Sequence, residues 1–175
     1  GKHVVVDKPF TVTLSEAKLL KKLADDKERL LSVFHNRRWD SDFLTVKALL
    51  EAGTLGRLVN FESHFDRFRP EVRDRWREKA TPGGGIWFDL GPHLLDQAFE
   101  LFGMPQAILL ELGVLRDGAQ ADDDFLALLD YESFRVTLAA GTLVAEPTPR
   151  FRINGTQGSF IKYGLDPQED RLKAG

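Results

Sequence analysis

Cysteine is absent from the 175 residues, which excludes disulfides, thiolate nucleophiles and cysteine-ligated zinc. Positive charge is not in excess either: 24 Lys and Arg face 27 Asp and Glu, for a net charge of −3. Sequence-independent nucleic-acid binding needs surplus cations against phosphate, so no nucleic-acid partner is expected. No apolar run approaches the roughly 20 residues of a membrane-spanning helix. The opening valines Val4-Val5-Val6 are too few for a signal-peptide core. A cytoplasmic protein without a membrane partner is the expectation. No Gly-x-Gly-x-x-Gly follows a strand, so the usual dinucleotide phosphate cradle is missing. Internal repeats and low-complexity segments are lacking as well.

What is present reads as an ordinary folded domain. The chain is 42% hydrophobic and 29% charged, and thirteen Phe and three Trp supply bulky core side chains. Val4 to Val6 predicts a short buried strand closed by Asp7-Lys8-Pro9. Thr13-x-x-Glu16 is a capping box, followed by Ala17, Leu20, Leu23 and Ala24 at helical spacing. Leu30 to Phe34 predicts a second strand, which completes a βαβ unit of the kind parallel sheets use. A helix capped by Asp40 or Ser41 carries Phe43, Leu44, Val46, Leu49 and Leu50 and stops at Gly53. Strands are expected at residues 58–66, 107–115, 124–131 and 134–144, with a hairpin over 150–163 turning at Asn154-Gly155.

The fold class is therefore α+β: a predominantly antiparallel, open-faced sheet with helices on one face, preceded by a partial βαβ unit. The division expected is residues 1–35, then residues 36–175. Strands such as Leu109 to Leu115 and Phe125 to Leu129 are apolar on both faces, yet too few helices follow to cover both. A homodimer or higher oligomer through the open sheet face is the expectation. The abrupt apolar start and the polar tail 166–175 read as cuts in a longer polypeptide.

Three segments carry candidate chemistry. Lys8 sits at a strand's carboxyl end, where open α/β sheets place ligands, and Pro9 keeps it out of helical geometry. Gly83 to Asp96 combines three glycines with Asp89, His93 and Asp96, which share one face if the backbone is helical. The glycines permit either close ligand approach or a turn closed to other residues. A carboxylate beside an imidazole suits a general base, while a structural histidine is an equal alternative from the residues alone. Zinc is disfavoured by so few His and no Cys, and no metal site is assigned. Pro92 is expected to begin or kink its helix. The third segment comprises His35 to Trp39 and the Arg-rich stretch Phe65 to Arg77, whose interspersed acids suggest a solvated loop.

Together these segments resemble the Gfo/Idh/MocA family of oxidoreductases. Gly1 to Pro9 is similar to that family's Gly-Lys-His…Glu-Lys-Pro segment, with Asp7 in place of the usual Glu. Gly83 to Asp96 resembles its Asp-x-Gly-x-His-x-x-Asp segment, and Arg150 to Phe160 its late Gly-x-x-Gly strand pair. The resemblance runs from Gly1 to about Tyr163. It implies that residues 1–35 are the tail of a truncated Rossmann domain and 36–175 a substrate-binding and oligomerisation domain. It further implies hydride exchange between NAD or NADP and a secondary alcohol of a small sugar or polyol. His93 then matches the general base, Lys8 the lysine on the reacting oxygen, and Asp89 the positioning carboxylate. Lys8 and Pro9 fall beside the cofactor, and Arg38, Trp76 and Asp96 are assigned to substrate contact. A fragment without the cofactor domain would be inactive alone. A non-catalytic ligand-sensing or assembly module of the same architecture is the alternative.

Overall fold

The computed structural model describes residues 1–175, the side chains of Glu169, Leu172 and Lys173 excepted. It divides into two compact units, Gly1–Asn36 and Arg37–Gly175.

The first unit is β1 (Val4–Asp7), α1 (Leu14–Asp26) and β2 (Leu31–Phe34). The strands pair in parallel with Val4 opposite Leu31 and Asp7 opposite Phe34. The capping box forms as the spacing predicts: the Glu16 N–H donates to Thr13 Oγ1 (3.2 Å) and the Thr13 N–H to the Glu16 carboxylate (2.9 Å). On the wet side Lys21–Asp25 and Lys22–Asp26 close i,i+4 ion pairs at 2.6 Å. The Lys8-Pro9 bond is cis.

β1 is not the buried strand that its valines predict. Val5 is 71% exposed, and no residue of 1–36 is buried. The apolar side chains are correctly patterned, but two strands and one helix have too little mass to enclose them.

The second unit holds a six-stranded sheet in the order β4-β5-β6-β3-β7-β8, comprising β3 (Leu58–His64), β4 (Ala107–Gly113), β5 (Asp124–Asp130), β6 (Arg135–Gly141), β7 (Pro149–Gly155) and β8 (Ser159–Tyr163). Every neighbouring pair is antiparallel except β3 and β6, which run parallel at the centre with Phe61 opposite Val136. Sequence cannot show that pairing, since a parallel neighbour arrives only after a long crossover. The crossover includes α3 (Ile86–Phe102), which packs on β5 and β6. α2 (Ser41–Glu51) supplies Phe43 and Val46 to the same core. There Phe61, Phe125 and Phe151 are almost fully buried, each stabilising by about 1.5–3 kcal/mol relative to exposure. A short helix, α4 (Gln168–Ala174), occupies the tail.

Leu109 shares its face with Leu128, its cross-strand partner, and the edge strand β4 leaves Leu109 56% exposed. No helix of the described residues is long and apolar enough to cross a membrane.

One local expectation is corrected. Asn154-Gly155 is not the hairpin turn: both residues remain in β7, and the turn runs through residues 156–158, closed by Gly155 N–H to Gly158 C=O at 2.8 Å. Glycine is needed at 155 because a Cβ there would lie 2.1 Å from the Leu55 carbonyl oxygen. Asp40 does take the N-cap position of α2, as expected, but its side chain makes no capping bond; the carboxylate turns to Arg37 at 3.3 Å instead.

The start of α3 settles which role the glycines take. Gly85 has φ +91°, and a Cβ on it would lie 1.9 Å from Asp122 Oδ1. A Cβ on Gly84 would meet the Lys79 carbonyl at 2.3 Å. These glycines make room for the protein's own chain. Asp122 reaches in because it caps the helix: its carboxylate accepts from Trp87 N–H (2.7 Å) and its carbonyl from Ile86 N–H (2.8 Å). Gly85→Ala is expected to lower stability by about 1–3 kcal/mol through backbone strain, plus loss of the cap as Asp122 is pushed aside. Urea unfolding checks this, with Asp122→Ala as the variant that removes the cap alone.

Candidate functional site

Helix α3 brings the candidate residues together. Pro92 lies inside it rather than at its start, so the helix runs through the Asp89–Asp96 segment as one element. Gly91 is required there: a Cβ would sit 2.6 Å from the Trp87 ring, which packs edge-on against Phe125 at 5.1 Å. Helical spacing then puts Asp89, His93 and Asp96 along one side.

Each has a defined environment. Asp96 receives a two-pronged pair from Arg38, Nε to Oδ2 at 2.7 Å and Nη2 to Oδ1 at 2.6 Å. Arg38 also reaches Glu100 at 3.3 Å, one turn further along α3. The guanidinium of Arg38 is held more basic than usual, first by its hydrogen bond to Asp96. Asp89 faces Arg77 Nε at 3.4 Å, and the Arg77 guanidinium lies 4.5 Å from the Trp76 ring centre. Asp89, Arg77 and Trp76 thus form a chain from helix to loop. His93 is 6% exposed and meets the Phe65 ring edge-on at 6.4 Å between centroids.

Phe65 leads to a group not singled out from sequence. Arg150, 2% exposed, lies 4.0 Å from the Phe65 ring centre and 4.1 Å from that of Phe151. It donates to Ser63 Oγ and, at 2.6 Å, to Gln97 Oε1. Gln97, one turn beyond His93 on α3, in turn donates to the Arg37 carbonyl at 2.9 Å. Burial pulls the Arg150 pKa down to about 10, against partial support from Asp42 and Asp40. Alternation along β7 gave no signal for it: Arg150 falls in step with Arg152 and Asn154, on the other parity from the core residues Phe151 and Ile153, next to a register irregularity of the strand.

Asp40, Asp42 and Asp166 also converge, with one oxygen of each within 4.8 Å of the others. Cations and amides of the chain already engage them. Lys162 pairs with Asp42 at 3.1 Å and Arg37 with Asp40 at 3.3 Å. Asp166 accepts from the Ser41 N–H, from Gln168 N–H at 2.9 Å and from Gln168 Nε2 at 2.7 Å. Burial alone would raise the Asp166 pKa, but the hydrogen bonds from Gln168 and Ser41 win and hold it down to about 2. The unfolded carboxylate titrates near 3.8, so between about pH 4 and 2 the unfolded state binds more protons. Stability should therefore fall as pH drops through that window, and Asp166→Asn should flatten that part of the curve. Urea midpoints across pH measure it.

The second unit thus gathers Asp89, His93, Asp96, Arg38 and, through Arg77, Trp76. Lys8 and Pro9 follow β1 of the first unit, at the carboxyl end of its parallel pair, which is the ligand-facing end in open α/β sheets.

A family model described as the GFO/IDH/MocA C-terminal domain matches residues 43–161. The uncharacterized oxidoreductase YdgJ of Escherichia coli is 62% identical over 175 residues, covering 100% of this chain and 51% of its own length. The scyllo-inositol 2-dehydrogenase (NADP(+)) IolW of Bacillus subtilis is 47% identical, covering 100% of this chain and 49% of its own. Among solved structures, the oxidoreductase YPO2259 of Yersinia pestis superposes with a TM-score of 0.92 at 64% identity, covering 100% of this chain and 49% of that one. The chain spans about half the length of the relatives it matches.

Proposed function

This chain belongs to the Gfo/Idh/MocA family, and from that premise we propose that it is the substrate-binding and catalytic part of an NAD(P)-dependent oxidoreductase acting on a secondary alcohol of a sugar or polyol. The observation that carries the reading is the alignment of Asp89, His93 and Asp96 along one side of α3, with Arg38 locked onto Asp96.

In this reading a ring nitrogen of His93 takes the proton of the reacting hydroxyl. The Lys8 ammonium donates a hydrogen bond to the same oxygen and stabilises its developing negative charge. Asp89 orients the hydroxyl and the imidazole, while Arg38, Trp76 and Asp96 shape the substrate's surroundings. Lys8 and Pro9 are this chain's contacts to the nicotinamide cofactor, and their position after a parallel strand fits that use. NAD or NADP, when bound, accepts or returns the hydride. The phosphate cradle belongs to the longer protein, with residues 1–35 as the tail of its nucleotide-binding fold; the uncovered apolar faces of β1 and α1 support this. A cytoplasmic location and a homodimer or higher assembly through the Leu109 face complete the proposal.

The test is the complete protein mixed with NAD or NADP and a panel of polyols and sugars, following the absorbance of reduced nicotinamide. Turnover of at least one substrate is expected. Tight ligand binding without any turnover would replace this reading with the ligand-sensing one.

A further inference from the structure

Beyond the reacting alcohol, the second unit carries a cationic cleft that the mechanism does not use. It has a volume of about 310 Å³ and lies between the end of β3 and the start of β7. Arg37, Arg67, Arg69 and Arg150 line it, against one carboxylate, Asp66. Asp66 is already engaged: it accepts from Thr148 Oγ1 at 2.8 Å and from Gly141 N–H at 2.9 Å, and it lies 3.1 Å from His64 Nδ1.

Arg67 and Arg69 are the unusual pair. Among the described residues neither guanidinium has a carboxylate within ion-pairing distance. Their neighbours in sequence do: Arg75 pairs with Glu78 at 2.6 Å, Arg77 with Asp89 at 3.4 Å, and Arg116 with Asp123 at 2.9 Å. Both lie half-buried rather than spread into water. Their backbones are fixed, with Arg67 N–H on the Gly141 carbonyl at 2.9 Å and Arg69 N–H on that of Thr142 at 2.7 Å. Burial, followed by the charge of Arg69, depresses the basicity of Arg67, while Asp89 pulls the other way. Two like charges held side by side in a partly desolvated wall are a standing repulsion that an incoming anion would relieve. Arg67 and Arg69 also line a second hollow whose wall includes Asp89, so the pair stands next to the proposed reacting centre.

We propose that Arg67 and Arg69 form an anion subsite, and that the substrate is a sugar or polyol bearing a carboxylate or a phosphate. This rests on the dehydrogenase reading for the word substrate, but the subsite itself is testable by binding. Of the acids near the Arg-rich stretch, Glu78 pairs with Arg75, Asp89 with Arg77 and Asp74 with Lys79, and none of the three forms an ion pair with Arg67 or Arg69.

The experiment uses the complete protein with reduced cofactor and calorimetric titration of matched ligands: D-glucitol, D-gluconate and D-glucose 6-phosphate. At least one anion is expected to bind about tenfold or more tightly than D-glucitol, the scale of a charge-assisted hydrogen-bonded pair. That margin should shrink with added salt and collapse in Arg67→Gln and Arg69→Gln, with melting temperatures confirming folded variants. Gluconate alone binding tightly identifies a sugar acid, and glucose 6-phosphate alone a sugar phosphate. Should a variant fail to fold, the salt dependence of the wild-type margin decides instead. Equal affinity for all three ligands, or a margin that survives high salt or both substitutions, overturns the subsite. Anion-selective binding here, together with no turnover of any polyol or sugar in the panel assayed with oxidised cofactor, leaves the subsite standing and sinks the dehydrogenase reading.

Discussion

In the complete protein, His93→Ala and Lys8→Ala are each expected to lower turnover by about 10²–10⁴-fold while cofactor affinity changes little. The reasoning starts from what each group does to the charge that builds on the alcohol oxygen as hydride leaves. Without His93 the hydroxyl proton has no positioned acceptor, and water must serve. Without Lys8 the oxygen's negative charge develops with no ammonium beside it. Neither change touches a phosphate-binding glycine loop, since none lies in this chain. Steady-state kinetics with cofactor titration by fluorescence separates the two effects. His93 is 6% exposed, so its removal also opens a void against Phe65. His93→Gln, which keeps volume and a polar end, serves as the second variant; near-normal turnover in a folded His93 variant would refute the assignment.

The second large effect is on stability. Arg116 is 7% exposed and its guanidinium is fully committed. It contacts Asp123 at 2.9 Å and Glu78 at 3.1 Å, and donates to the carbonyls of Glu71 at 3.1 Å and Arg69 at 3.3 Å. Asp123, 1% exposed, also accepts from the backbone N–H groups of Leu115 at 2.7 Å and Arg116 at 3.1 Å. Burial would raise the Asp123 pKa, but the bonds from Leu115 and Arg116 hold it below the usual carboxylate range. Arg116→Ala strands Asp123 in the interior and frees the loop carbonyls. Breaking a buried pair from one side costs about 3–5 kcal/mol. At roughly 2–4 °C per kcal/mol for a protein of this size, the melting temperature should fall by roughly 6–20 °C. Calorimetry reads this directly. The double variant Arg116→Met, Asp123→Leu should recover only part of the loss: it removes the stranded charge of Asp123 but leaves the Leu115 and Arg116 N–H groups and the loop carbonyls without their partners. A single variant within about 1 °C of wild type would show that the cluster is not an anchor.

The Arg116 cluster also explains how the Arg-rich loop is held. By pinning the carbonyls of residues 69 and 71, it fixes the chain on which Arg67 and Arg69 stand. From sequence that loop looked solvated, because each Arg had an acid nearby along the chain. Proximity in sequence did not decide the pairing. Glu78 went to Arg75 and Arg116, the latter 38 positions away, and left Arg67 and Arg69 without an acid.

Sequence alone determined the elements whose signals are local. The Thr13–Glu16 cap, the helical face of Asp89, His93 and Asp96, and the strand alternation of 58–64 and 124–130 depend on neighbours a few residues apart. Periodicity and capping report such contacts directly. The family resemblance rested on short contiguous segments for the same reason. Tertiary structure decided whatever depends on distant approach. The parallel β3–β6 pair, the use of Gly84 and Gly85 to admit Lys79 and Asp122, and Arg150 beneath Phe65 join residues from 5 to 85 positions apart. No local pattern encodes which carbonyl or carboxylate will arrive at a glycine, or which cation will be left over once the buried pairs have formed.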